Sequence, residues 1–392
     1  MSDIKQKRLT FFDFANLAYG GGCEKNFLKL GAWLQKRGHV VSYVTPSRTL
    51  NKQFSRIPGI SDYPENINKN ELQKELEGMK YTTFGFKDLL TRRKRTRIAE
   101  VLNMSDLIIS KNEIFEVILL RHVFKIDSRK IVFGVHTPLV YPVTKTLKSR
   151  LHNLFYTSRL YFSLLGESRV RYLTVNKDDK STLIKSGVTS ATVIPNPVDT
   201  HKFSEKTYSK GGFFEVFYIG RMTEQKGIDV LINAIQQLAT HSEFKRMRLT
   251  FVGNGPDAQL LKELTKNYTN CTFEGFQNDV TRFYQKADLI VVPSRWESFC
   301  YTVAEAQSSG VPVIASDIPG PNDIIQNETT GWLIKPENPK LLAKKILMAF
   351  EIWDKDFAKY VQICRSARVN ISTRFNENTI NLRIERFLVN AI

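Results

Sequence analysis

The sequence predicts an α/β protein of two successive domains, each a parallel sheet covered by helices, on three observations. Short apolar runs alternate with amphipathic segments along most of the chain, the mark of repeated strand-helix-strand units. A polar stretch, Thr200 to Lys210, interrupts that alternation near the middle. The length, 392 residues, suffices for two domains of ordinary size, each with its own core. The expected division is 1–199 for a first domain, 200–210 for a linker, 211–372 for a second domain and 373–392 for a closing helix.

Hydrophobic content of 42% with 24% charged residues describes a soluble globular protein. No apolar run approaches the roughly eighteen residues that a membrane span requires. Lys5, Lys7 and Arg8 before Leu9-Thr-Phe-Phe look superficially like a signal peptide, but Asp13 interrupts the run, which reads as a first buried strand. Cys23, Cys271, Cys300 and Cys364 are too widely spaced for a zinc site or a disulfide framework, so a reduced, cytoplasmic setting is expected. The net charge of +18 favours an anionic partner: a nucleotide, a nucleic acid or an anionic membrane face.

In chain order, a strand from Arg8 to Asp13 leads into Tyr19-Gly-Gly-Gly-Cys-Glu24 and a helix with an apolar stripe of Phe27, Leu28, Leu30, Ala32 and Trp33. Arg37-Gly38 closes that helix, with glycine in the usual stop position, and a strand from His39 to Thr45 follows. The loop glycines, Gly21 and Gly22 among them, can bring backbone N–H groups close to a diphosphate or an acceptor; by themselves they equally suit a flexible turn. From Pro46 to Met104 the chain is polar, with only local helical patterns. Its most charged piece, Thr91 to Arg97, reads as a solvated helix face or a membrane or acceptor contact.

Strands resume at Asp106–Ser110 and Lys130–Val135. The second ends in His136-Thr-Pro, at the edge where parallel sheets bind ligands. Thr146 to Leu165 reads as a helix with Leu147, Leu151, Leu154, Phe155, Tyr161, Phe162 and Leu165 on one side, flanked by Lys145, Lys148, Arg150 and Arg159. Packing on the first sheet is the favoured reading of that side, and an interfacial membrane helix is the other. Tyr172–Asn176 is a further strand, before Thr192-Val-Ile-Pro-Asn-Pro-Val-Asp199.

The second domain opens on a strand from Glu215, a tight loop through Gly227, and a helix with Ile228, Leu231, Ile232, Ile235 and Leu238 at spacings of three and four. Arg221 and Lys226 flank the loop. Backbone N–H groups, the positive end of the helix dipole and two cations together suit a diphosphate. Two more strand-to-loop edges, Arg248–Pro256 and Cys271–Phe276, carry Gly253, Gly255 and Gly275, which permit close backbone approach. Next, the strand Asp288–Val292 enters a loop bearing Glu297, then a helix bearing Glu305, then a strand from Val311 to Ala315. On one helix two residues eight apart would be separated by about 12 Å and about 80°, whereas a retaining glycosidase pair needs about 5 Å. The spacing therefore suits carboxylates that grip different parts of an elongated, hydroxyl-rich ligand. Helical patterns at Leu341–Phe350, Phe357–Val369 and Asn376–Val389 end the chain.

Pro293 to Glu305, followed by Val311-Pro-Val-Ile-Ala-Ser, Gly320 and Thr330-Gly-Trp-Leu-Ile, resembles the Glu-x7-Glu motif and its sequel in the retaining glycosyltransferases of family 4. The glycine loop with Glu24 and Arg37-Gly-His-Val-Val, the Gly-Arg and Lys-Gly pairs of 220–227, and Thr192–Asp199, where Pro197 replaces a commoner glycine, resemble that family's other signatures. The resemblance spans nearly the whole chain outside Pro46–Met104. It implies the GT-B architecture: two Rossmann-like domains facing across a cleft, with the last helix crossing back to the first. It also implies transfer of a hexose from a nucleotide diphosphate sugar to a hydroxyl on a glycan or lipid-linked glycan, with retention of configuration, in cell-envelope or glycoconjugate synthesis.

On this resemblance Arg221 and Lys226, with Gly21 and Gly22, hold the donor diphosphate, and His136 lies beside the donor sugar. Glu297 contacts the sugar ring and Glu305 the ribose hydroxyls, while Phe299, Cys300, Tyr301 and Thr302 turn backbone N–H groups towards sugar and phosphates. Gly253, Gly275 and Phe276 border the base and ribose, and Cys300 stands where the family commonly has glycine. Neither a metal nor another cofactor is expected, since Arg221 and Lys226 can neutralise the leaving diphosphate; the implied course is a same-face substitution assisted by the departing phosphate. The positive charge adds an expectation of peripheral docking at the anionic inner face of a membrane. Two alternatives stand beside this: a sugar-nucleotide epimerase, and a non-enzymatic basic scaffold of the same fold that binds membrane or nucleic acid. No recognised nucleic-acid module appears, so no specific nucleic-acid partner is expected.

Overall fold

The computed structural model describes residues 6–13, 22–46, 80–84, 86–111, 114–158, 161 and 170–390; Gly21, Arg159, Phe162 and Leu165 lie outside them. The chain divides into two compact units. One comprises Met1–Val140, Arg150–Asn196 and Ile380–Ile392; the other comprises Tyr141–Ser149 and Pro197–Thr379.

The first unit is built on a parallel seven-stranded sheet in the order β3-β2-β1-β4-β5-β6-β7. Its strands are β1 (Arg8–Phe12), β2 (Val40–Pro46), β3 (Lys80–Phe84), β4 (Leu107–Lys111), β5 (Ile131–Val135), β6 (Arg171–Thr174) and β7 (Ala191–Val193). Side chains alternate across a strand, so Phe11 and Phe12 fall into different cores on the two faces of the sheet. With both faces covered, β4 and β5 are buried along their whole lengths, which is why they read as apolar runs. Because β1 lies between β2 and β4, the strand order reverses there and opens a crevice at the carboxyl edge.

Two elements of the first unit differ from the sequence reading. The polar stretch that showed only helical patterns contains β3, an edge strand paired solely to β2 among the described strands. Its Lys-Tyr-Thr-Thr-Phe sequence has too little apolar alternation to be legible. Helix α1 (Gly22–Lys36) and the basic helix α2 (Arg92–Asn103), which buries Ile98 and Leu102, match the expected patterns. The helix expected from Thr146 is instead the shorter α3 (Leu147–Tyr156). Leu147, Leu151 and Leu154 are exposed, while Phe155, Tyr156 and Tyr161 pack on the core. Periodicity identifies residues that share a face, not what covers that face.

The second unit holds a parallel six-stranded sheet, β10-β9-β8-β11-β12-β13. Its strands are β8 (Phe214–Ile219), β9 (Met247–Val252), β10 (Cys271–Gly275), β11 (Leu289–Val292), β12 (Val313–Ser316) and β13 (Gly331–Ile334). Again the first strand, β8, lies between the second and the fourth, so the reversal falls between β8 and β11. Helices α4 (Ile228–Leu238), α5 (Tyr301–Ser308), α6 (Pro339–Lys355) and α7 (Phe357–Arg374) cover this sheet, with Phe350 and Trp353 of α6 in the core beside Ile228 and Leu231.

The stretch 200–210, read as the linker, packs on the second unit. Phe203 and Lys206 are buried, and the Lys206 ammonium lies 3.1 Å from the Asp288 carboxylate. Arg368 donates to the carbonyls of Thr200 and Phe203, holding the stretch on the second unit. Residues 141–149 also belong to this unit, although they stand in sequence within the first 199 residues. The final helix, α8 (Glu377–Val389), starts in the second unit and joins the first from Ile380 onward. There Ile380, Ile384 and Leu388 enter the core with Leu9 and Phe11, and Glu385 accepts hydrogen bonds from Arg37 at 3.2 Å and from His39 Nε2 at 3.1 Å.

Candidate functional site

The site in the second unit starts where β8 ends. A one-turn 3-10 helix, Glu224–Lys226, fills the loop, and Gly227 at φ 66° turns the chain into α4. A Cβ on Gly227 would sit 2.1 Å from the Pro293 carbonyl oxygen, so glycine is needed both for the turn and for the contact between the loops after β8 and β11. The same holds for Gly253 after β9, at φ 132°, where a Cβ would come within 1.9 Å of the Gly220 carbonyl.

Across the β8–β11 reversal, the Lys226 Nζ donates to Glu297 Oε1 at 2.5 Å, and Ser294 Oγ donates to the same oxygen at 2.9 Å. Burial works against the charged amine, but the Glu297 carboxylate outweighs it and holds the Lys226 pKa above its ordinary value. The Arg221 side chain is exposed at the start of the loop, and its carbonyl accepts a 2.6 Å hydrogen bond from Tyr218.

The loop after β11 is fastened by a buried arginine. Arg295 is 1% exposed. Its N–H donates to the Gln225 carbonyl at 2.8 Å and its guanidinium donates to the Glu224 carbonyl, tying this loop to the one after β8. Nη2 reaches both Asp229 oxygens at 2.7 Å, and Nε pairs with Glu337 at 2.7 Å. Burial opposes ionisation of Asp229, yet Arg295 and then Lys145 hold its carboxyl below the ordinary value.

Cys300 immediately precedes helix α5, and its φ of 71° lies in the left-handed region that favours glycine. That conformation gives a physical reason for a glycine at this position, and Cys300 occupies it under strain. Burial pushes its thiol far above the usual range. Thr302 Oγ1 donates to the Ile219 carbonyl at 3.2 Å, joining α5 to the end of β8. Glu305, one turn into α5, accepts the Tyr284 hydroxyl at 2.9 Å. Phe299 packs edge-on against Tyr301, with ring centroids 5.1 Å apart. Gly275 ends β10 and presents Phe276, which is 57% exposed.

The second unit therefore brings Arg221, Lys226, Gly253, Gly275, Phe276, Glu297, Phe299, Cys300, Tyr301, Thr302 and Glu305 to the carboxyl edge of one sheet, on the loops after β8, β9, β10 and β11 and the helix that follows. His136 and Gly22 lie in the first unit. His136 follows β5 and meets Phe27 edge-on at 5.6 Å; Gly22 is the first residue of α1. The Arg295, Asp229 and Glu337 cluster was missed in the sequence, where a charged loop residue two places before Glu297 reads as solvated surface. The sequence does carry an Asp-x-Asp triplet, Asp354-Lys-Asp356, and it falls where α6 ends. Asp354 there pairs with Arg246 at 2.7 Å and Lys210 at 3.1 Å. Among the described residues no group of three or more His, Cys, Asp or Glu is gathered for a metal ion.

Residues 199–362 match the family model described as glycosyl transferases group 1. Among curated proteins, an Escherichia coli UDP-Gal:alpha-D-GlcNAc-diphosphoundecaprenol alpha-1,3-galactosyltransferase is 30% identical over 185 residues, covering 42% of this chain and 47% of that protein. A GDP-mannose-dependent alpha-mannosyltransferase of Corynebacterium glutamicum is 31% identical over 152 residues, 39% of this chain and 34% of that one. The matched stretches thus span less than half the length of these curated relatives. Among solved structures, a glycosyltransferase from Rickettsia africae has a TM-score of 0.72 at 20% identity, covering 99% of each chain. Anabaena HepE in complex with UDP-glucose has a TM-score of 0.73 at 17% identity, covering 98% of this chain and 100% of that one. The chain has the two-domain GT-B fold of these glycosyltransferases.

Proposed function

We propose that the chain, whose residues 199–362 match the glycosyl transferases group 1 model, transfers a hexose from a nucleotide diphosphate sugar to a hydroxyl of a glycan or lipid-linked glycan, with retention of configuration. The observation that carries the reading is the Lys226–Glu297 pair at the β8–β11 reversal, where a parallel sheet opens its ligand crevice.

In this reading Lys226 and Arg221 hold the diphosphate and neutralise the charge that develops as it leaves, with no metal required. Glu297, released from part of its hold on Lys226 when phosphate arrives, accepts hydrogen bonds from the sugar ring. Glu305 takes the ribose hydroxyls. Phe276 and the backbone at Gly253 and Gly275 border the base, and the N–H groups of 299–302 face sugar and phosphates. The departing phosphate assists the incoming hydroxyl on the same face of the sugar.

Uridine and guanosine donors are both named for the curated relatives, and UDP-glucose is bound in HepE, so the base is the first unknown to fix. Thermal melting with UDP, GDP, ADP and their hexose conjugates does this, because a ligand at about a hundred times its dissociation constant adds about 2.7 kcal/mol to stability. Stabilisation by one nucleotide class is the expected result. No shift with any nucleotide at saturation overturns the reading in favour of a non-enzymatic scaffold.

Peripheral docking to an anionic membrane at its cytoplasmic face accompanies this proposal. It is supported by the net charge of +18 and by the exposed leucines of α3 beside Arg150. Among the described residues no helix is long and apolar enough to cross a membrane. Co-sedimentation with anionic vesicles, weakening as salt rises, is expected; absence of binding at every salt concentration removes the docking.

A further inference from the structure

We propose that Tyr141 and Lys145 are positioning residues for Glu297, bracing the loop that carries it. The inference rests on Glu297 being the sugar contact proposed above. The segment Tyr141–Ser149 belongs to the second unit although 47 residues, Arg150–Asn196, separate it in sequence from the rest of that unit.

Two side chains of this segment act on the loop, one directly and one through the partners of Arg295. The Tyr141 ring stacks on Trp296, the immediate neighbour of Glu297, with centroids 4.6 Å apart and planes 16° from parallel. Lys145 Nζ donates to Asp229 Oδ2 at 3.2 Å and also pairs with Glu337. These are the two carboxylates that hold the guanidinium of Arg295, on the other side of Trp296. Glu337 presents its carboxylate from a left-handed backbone at φ 61°, a strained conformation for a residue with a Cβ.

Charge arithmetic assigns Lys145 its role. Arg295 and Lys145 together balance Asp229 and Glu337, whereas Arg295 alone faces two carboxylates that repel each other. Arg295 is then drawn off its present geometry, and the loop with Trp296 and Glu297 moves with it. Lys145 is 43% exposed, so its pairs contribute little to folding stability. The effect belongs in the rate, where a misplacement of about 1 Å can cost about a hundredfold.

The test uses the full chain and the nucleotide sugar selected by the melting series. Initial rates of donor hydrolysis, in which water takes the sugar and the nucleotide diphosphate leaves, give kcat and KM for the parent, Lys145→Ala, Lys145→Arg, Tyr141→Ala and Tyr141→Phe, and calorimetry gives the affinity for the free nucleotide diphosphate. A kcat lowered about tenfold in Lys145→Ala and Tyr141→Ala is expected, with KM and nucleotide affinity within about twofold of the parent. Lys145→Arg and Tyr141→Phe should regain most of the loss. Adding Glu337→Gln to Lys145→Ala should recover part of it by removing the surplus charge. A parent-like kcat in both alanine variants overturns the proposal. So does a loss that follows the unfolded fraction on melting and is not restored by arginine or phenylalanine. A parent that binds and turns over no nucleotide sugar fails earlier, and identifies the transferase reading on which this proposal rests as the error.

Discussion

The two sheets reverse their strand order at the same place, between the first and fourth strand of each unit, and each reversal carries a lysine–carboxylate pair. At the carboxyl edge of the first sheet, Lys111 at the end of β4 meets Asp13, just beyond β1, at 3.1 Å, with side chains 7% and 0% exposed. In the second, Lys226 and Glu297 meet at 2.5 Å with side chains 22% and 9% exposed. The topology and charges agree; the depth differs. The deeper pair stands withdrawn from solvent and holds two strand ends together. The shallower pair, on loops rather than strand ends, leaves its ammonium within reach of an anion. On the proposed function, accessibility rather than the pairing itself separates the ligand-holding pair from the structural one.

The sharpest way to break this comparison is to remove each lysine. Lys111→Ala removes the buried cation that faces the Asp13 carboxylate, and denaturant unfolding should show a loss of about 3–5 kcal/mol. A loss well below that range would mean that the pair is no staple. Lys226→Ala should lower turnover by about 10²–10³-fold, as removal of a charge-stabilising donor does, with a much smaller stability loss by the same unfolding assay. Cys300→Gly sharpens the picture of the second edge: relief of the left-handed strain should raise stability by about 1 kcal/mol. A lower melting temperature would show that buried Cys300 packing outweighs that strain.

The smallest effect is one of pH. Lys226 has a folded pKa raised above the ordinary 10.5, so it stays protonated, and its contribution to stability is complete below 10.5 and is lost only as pH rises through the higher folded value. Nucleotide affinity should therefore stay level from about pH 7 to about pH 9. A fall across that window would show that a group other than Lys226 governs the site.

Much of the second unit was legible because its chemistry is local. Arg221, Lys226 and Gly227 lie within one loop, and the Glu297 to Glu305 spacing lies within one loop and helix, so strand, glycine and helix signals in a short window suffice. The unexpected glycine replacement at Cys300 was legible too, and its φ supplies the reason that glycine suits the position. What sequence patterns did not reach depends on distant partners. The role of Arg295 depends on Asp229 and Glu337, which are distant in sequence. The segment 141–149 gives no local sign of its unit, and β3 is an edge strand too polar to show alternation. The α3 leucines share a stripe, as read, but solvent rather than the sheet lies against it.

The most direct test is a calorimetric titration of the preferred nucleotide diphosphate into the parent chain and into Lys226→Ala, with circular dichroism confirming that both are folded. The account predicts saturable binding to the parent, weakened at least about tenfold in the variant by loss of a charge-assisted hydrogen bond. Equal affinity in the two folded chains would contradict it and move the diphosphate away from the β8–β11 reversal.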